Sequence, residues 1–129
     1  MSLYIQTNQC VTLSTATPLT ISASDTGKFI LVPGQAGAQI INLPALAPGL
    51  TYRFIKTGIA NAGSSVITPI TAVIQGQINS AANFSPVVNG LSVTFAASSS
   101  MGDLVEMYCD GVNWNIKGVS KTALGVSVP

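Results

Sequence analysis

The chain has 129 residues, of which 7% are charged and 47% hydrophobic, where soluble domains usually carry about 25% charge. One domain accounts for that length, and the hydrophobic content excludes a disordered chain. Lys28, Arg53, Lys56, Lys117 and Lys121 are scattered and the net charge is +1, so nothing here tracks a phosphate backbone and no nucleic-acid partner is expected.

Residues 1–17 mix Thr, Ser, Gln and Asn with single apolar residues and read as an extended arm or edge strand. Their first ten residues lack the basic region and unbroken apolar core of a signal peptide, so secretion by that route is not expected. Nor does any apolar run reach the length of a membrane span, and no membrane partner is expected. Pro18 precedes a short strand over 19–22, and Ser24-Asp25-Thr26-Gly27 is a turn by composition. Residues 28–32 are apolar on both faces and predict a central strand covered on both sides. Strands follow over 39–43 and 50–57, and in the second Leu50, Tyr52 and Phe54 share one face while Thr51, Arg53 and Ile55 share the other.

Residues 58–65 are small and predict a surface loop. Strands over 66–70 and 71–78 follow, with Pro69 forcing an edge or a bulge and Gly76 a bend. Residues 79–83 turn the chain. Asn89-Gly90 predicts a primed turn joining 84–88 to 91–96 as a hairpin, with Val88 opposite Leu91.

The strongest hairpin signal is Asp110-Gly111, since a two-residue primed turn needs φ > 0 at both central positions. It predicts Cys109 opposite Val112, Met107 opposite Trp114 and Val105 opposite Ile116, all on one apolar face. The other face carries Tyr108 with Asn113, Glu106 with Asn115, and Leu104 with Lys117. Residues 120–129 read as a second polar and apolar tail.

Short strands with turn chemistry between them, and no capped helical period, predict an all-β fold: an antiparallel β-sandwich, a jelly-roll or a related one, with the strand order not fixed by the pattern. The organisation expected is an arm over 1–18, a sandwich over 19–118 and a tail over 119–129. Poverty in charge predicts a surface covered by copies of the chain or by partners.

The chain has no histidine, which excludes histidine-dependent triads and histidine-containing zinc sites. Its acids are Asp25, Asp103, Glu106 and Asp110, and no nucleophile elbow or S-x-x-K phrase is present. Asp103 with Glu106 or Asp110 is the one pairing that suggests glycosidase carboxylates or a Ca²⁺ site. Turn and cross-strand roles explain the same residues, so no catalytic residue, metal site or cofactor is expected. Trp114 falls on the apolar face and reads as core rather than as a sugar-stacking ring. Cys10 and Cys109 read as two reduced buried thiols, with a bridge between them left open.

Three phrases together resemble a module of tailed-phage and other viral structural proteins. They are Ser24-Asp25-Thr26-Gly27 leading into a strand, Ile41-Asn42-Leu43-Pro44 followed by Gly49 and Tyr52-Arg53-Phe54, and the hairpin sequence from Gly102 to Trp114. The resemblance implies an all-β, frequently trimeric building block made in the host cytoplasm and carried on the virion. The role expected is a capsid decoration or cement protein, with the major capsid protein or other virion proteins as partners. A tail-tip or fibre-head domain that binds a host receptor or glycan through loops such as 58–65 is the alternative. The resemblance supplies no catalytic residues.

Overall fold

A computed structural model describes residues 10–34, 37–58 and 63–129. From β1 to β6 the chain alternates between two facing sheets. Strands β1 (Cys10–Thr12), β3 (Phe29–Val32) and β5 (Thr51–Lys56) enter the larger sheet, while β2 (Leu19–Thr20), β4 (Gln39–Asn42) and β6 (Ser65–Thr68) enter the smaller. Each turn of this coil lays its strands parallel to those of the turn before, so Cys10, Phe29 and Arg53 occupy one position on successive turns. Gln39 and Ser65 do the same in the smaller sheet. Parallel neighbours need a long crossover, and here the crossover is a strand of the opposite layer rather than a helix. Pro33 follows β3 and Pro69 follows β6, where a residue with no N–H ends the ladder and frees the chain to change layers.

The second half of the chain completes both sheets. Strands β7 (Ile74–Asn79), β8 (Phe84–Gly90), β10 (Leu104–Cys109) and β11 (Trp114–Val119) join the larger, in the order β1-β3-β5-β10-β11-β7-β8. Strands β9 (Val93–Phe95) and β12 (Val126–Ser127) join the smaller, in the order β12-β9-β6-β4-β2. Among the described residues the only helical element is a single 3-10 turn at Ala23–Asp25, so none is long and apolar enough to cross a membrane.

The all-β sandwich expected from the sequence is therefore present, but its pairing is mixed rather than antiparallel. The pairs β1/β3, β3/β5, β2/β4, β4/β6 and β11/β7 are parallel, a coil that the antiparallel Greek keys of a jelly-roll do not contain. Alternating apolar residues of both sheets fill the space between them. Ile30, Tyr52, Phe54, Val105 and Trp114 come from the larger and Ile41, Ile67, Val93 and Phe95 from the smaller, all with no exposed surface.

Three further expectations are corrected. Strand β3 lies one in from an edge, with Ile30 and Val32 buried but Phe29 and Leu31 only half-covered, because among the described residues no layer lies over the outer side of its sheet. Pro69 marks neither an edge nor a bulge, since β6 lies between β4 and β9 and ends before it. Asn89-Gly90 turns no hairpin: β8 pairs with β7, and β9 crosses to the smaller sheet between β6 and β12. Asn89 does adopt φ 55°, but it is clasped by Gln75, whose Nε2 donates to Asn89 Oδ1 at 2.8 Å. Gly90 sits where a Cβ would collide with Val128 and Val87, which aims the chain into the other layer instead of back along its own.

The tail expected over 119–129 is also part of the sandwich. Val126 and Ser127 pair with Phe95 and Thr94, Gly125 and Val126 are buried, and Pro129 O accepts from Leu91 N at 3.2 Å. The arm expected over 1–18 is tied down in its described part, where β1 runs along β3 and Gln39 Nε2 donates to Ser14 O and Ala16 O. Residues 1–9 lie outside the described residues.

Gly76 makes the bend expected of it and closes the parallel seam of the larger sheet. Its φ is 139°, it sits at the β7–β8 irregularity, and a Cβ there would run into the carbonyl of Ile116 on β11. Backbone strain and a collision with backbone add, so Gly76→Ala is expected to cost about 2–4 kcal/mol in chemical denaturation. A loss below about 0.5 kcal/mol would show that the seam adjusts freely.

Candidate functional site

The β10–β11 hairpin forms, but with its register moved by two residues along β11. Cys109 is opposite Trp114, Met107 opposite Ile116 and Val105 opposite Gly118. Asp110 is the reason. Its Oδ1 accepts from Val112 N and Asn113 N, both at 2.8 Å, and its backbone N–H donates to Asn113 O at 3.2 Å, so the loop runs from Asp110 to Asn113. Gly111 supplies the one positive φ of the loop, 95°. These donors, chiefly Asn113 N and then Val112 N, with Asn115 Nδ2 behind them, hold the Asp110 carboxyl below its ordinary value.

A shift by two preserves side-chain parity, so Val105, Met107, Cys109, Trp114 and Ile116 still face the core. Val112 does not: it sits in the loop and is 70% exposed. Trp114 packs on Tyr52 with ring centroids 6.0 Å apart, and Tyr52 on Phe54 at 6.2 Å. The Tyr52 hydroxyl donates to Ser22 O at 2.9 Å, and burial, with Asp25 and then Cys109 adding to it, pushes its pKa up to about 12.

The opposite side of the larger sheet has nothing packed over it among the described residues. Cross-strand register arranges its side chains in three rungs. The first runs Leu31, Ile55, Leu104, Val119, with Asn79 and Phe84 beyond; Val119 is 45% and Phe84 59% exposed. The second runs Phe29, Arg53, Glu106, Lys117, Gln77, and the third Thr51, Tyr108, Asn115, Gln75. Arg53 lies over the Phe29 ring at 5.1 Å, a cation–π contact. Thr51, Glu106, Tyr108, Asn115 and Lys117 surround a shallow depression of about 210 Å³ floored by Met107 and Ile116.

Five of the six outer residues expected of the hairpin lie on this face, while Asn113 falls in the loop and Val119 takes a place instead, so the rung partners are corrected to Tyr108 with Asn115, Glu106 with Lys117 and Leu104 with Val119. Arg53 as the neighbour of Glu106 was not foreseen, because the pairing of β5 with β10 joins distant segments.

The four acids are not brought together. Asp25 pairs with Lys28 at 2.9 Å, Asp103 is buried, Glu106 faces outward and Asp110 closes its loop. No group of three or more metal-ligating acids and thiols forms among the described residues. Both cysteines are free; Cys109 is buried as expected but Cys10 is exposed on the edge strand, which corrects the expectation of two buried thiols. Residues 59–62 of the loop expected to recognise a receptor lie outside the described residues, and Ser65 belongs to β6. No family model, curated protein or solved structure matches the chain.

Proposed function

We propose that the protein is a virion structural protein that coats or cements a capsid surface as a homo-oligomer, without catalysis. The observation that carries the reading is the uncovered outer sheet face, where an apolar rung crosses several strands of a chain with only 7% charged residues. Such a face is stabilised by a protein partner, through burial of apolar area and a modest number of polar contacts. Weak attachments at symmetric lattice positions add through effective concentration, so each contact with the major capsid protein can be modest.

The depression beside Tyr108 favours a second reading, a tail-tip or fibre-head domain that stacks a host sugar on that ring. Two measurements separate the readings. The purified protein is expected to run as an oligomer and to sediment with capsids assembled in the cells that make it, with regular copies over the head. A few copies confined to the tail would support receptor recognition instead. A stable monomer that ignores capsids would overturn both forms of the virion reading.

A further inference from the structure

We propose that the outer face of the larger sheet pairs with the same face of a second copy, across a two-fold axis running along the strands between β10 and β11. The inference deepens the coat reading, on which its biological role rests.

An axis in that position carries β10 of one copy over β11 of the other and leaves each rung above itself. Leu104 then meets Val119 of the other copy, and Tyr108 meets Asn115. Glu106 meets Lys117 twice, once in each direction, and Arg53 comes over the Gln77 amide. Every rung is therefore its own complement, which is what an isologous contact requires. An axis across the strands fails the same test, since it sets Glu106 against Glu106 or lays the apolar rung on the polar one. Like charges in apposition are costly at an interface.

Within one chain these charges are left free to pair outward. Glu106 and Lys117 are directly opposed on neighbouring strands, yet the ion pair that forms among the described residues is Lys28 with Asp25. About that axis six of the seven strands of the sheet overlap, β1 alone lying beyond the partner, and the central strands are six residues long. At about 4.8 Å per strand and 3.3 Å per residue the face covers about 600 Å² on each partner. Both faces together reach about 1,200 Å², the lower end of what specific association needs, so a concentration-dependent dimer is expected rather than an obligate one. Pairing by twos takes the place of the trimer that the sequence resemblance implies.

Sedimentation velocity on wild type, Glu106→Lys and Lys117→Glu tests the pairing. Each variant alone sets like charges opposite one another at both crossings and is expected to raise the dimer dissociation constant by about tenfold or more. An equimolar mixture of the two restores opposite charges at both crossings and is expected to return dimer to the wild-type level. Only a contact between chains can produce that rescue, because each chain keeps its own defect. Circular dichroism of each variant confirms that it is folded. A wild type that stays monomeric or forms trimers, variants that dimerise unchanged, or a mixture without rescue would each overturn the proposal. Monomers found coating a capsid would sink the pairing alone. A dimer that passes the mixing test yet never appears on particles would sink the coat reading alone.

Discussion

A chain truncated after Val119 is expected to lose its cooperative fold rather than only a tail. The removed segment includes β12, whose Val126 and Ser127 cover the outer edge of β9, and Val126 is 3% exposed. It also includes Ser120, 4% exposed, and the backbone of Lys121, both of which hold the Asp103 carboxylate. Without it, Phe95 and Val93 lie on a bare edge strand and Asp103 loses two of its donors. A buried strand and a broken buried network together amount to about 5 kcal/mol or more, comparable with the whole stability of a domain this size. Urea denaturation followed by tryptophan fluorescence reads the result directly, because Trp114 is fully buried in the shared core. A truncated protein with an unchanged midpoint would mean that the segment is an appendage after all.

That segment shows where the sequence stops being informative. Residues 120–129 carry no alternation long enough to register as a strand, since β12 is two residues and its partner β9 is three. Pairing between elements so short is decided by what lies beneath them. The β5 and β10–β11 faces, by contrast, could be assigned from six-residue alternation, and every inward residue expected there is buried apart from Val112. Val112 and the shifted register fail for one local reason: Asp110 prefers to accept from two backbone N–H groups, and a two-residue turn would deny it that.

Asn89-Gly90 fails for a tertiary reason. The dipeptide does take a positive φ, but the Gln75 amide and the packing of Gly90 against Val128 turn the chain between layers. A coil of alternating sheets is equally invisible from local pattern, because each strand looks the same whichever layer it enters. The outer rungs inherit this limit: their members were readable strand by strand, their neighbours only once the sheet order was known.

Replacing Asp103 by Ala is expected to cost about 3–5 kcal/mol, nearly as much as the truncation, through a single side chain. Asp103 is 1% exposed, and its carboxylate accepts from Ser100 N at 2.9 Å, Ser120 Oγ at 3.0 Å and Lys121 N at 2.9 Å. It joins the loop before β10 to the chain leaving β11; when it goes, Ser100 N and Lys121 N lose their acceptor, while Ser120 Oγ keeps Thr122 O at 3.0 Å. Lys56, also 1% exposed, lies nearby on β5, its backbone N–H donating to Asp103 O. Burial pulls the Lys56 pKa below its ordinary 10.5, and the Asp103 charge partly holds it up. Between the folded value and 10.5 the unfolded chain therefore binds more protons, so this group makes the protein more stable as pH rises through that window. Removing Asp103 lowers the folded value further and deepens the penalty at neutral pH, where the ammonium is buried without its counter-charge. The gap in stability between wild type and Asp103→Ala is accordingly expected to narrow as pH is raised from 7 towards 10. Denaturation midpoints of both proteins across that range check the sign; a gap that stays constant would show that the lost hydrogen bonds, and not Lys56, account for the whole loss.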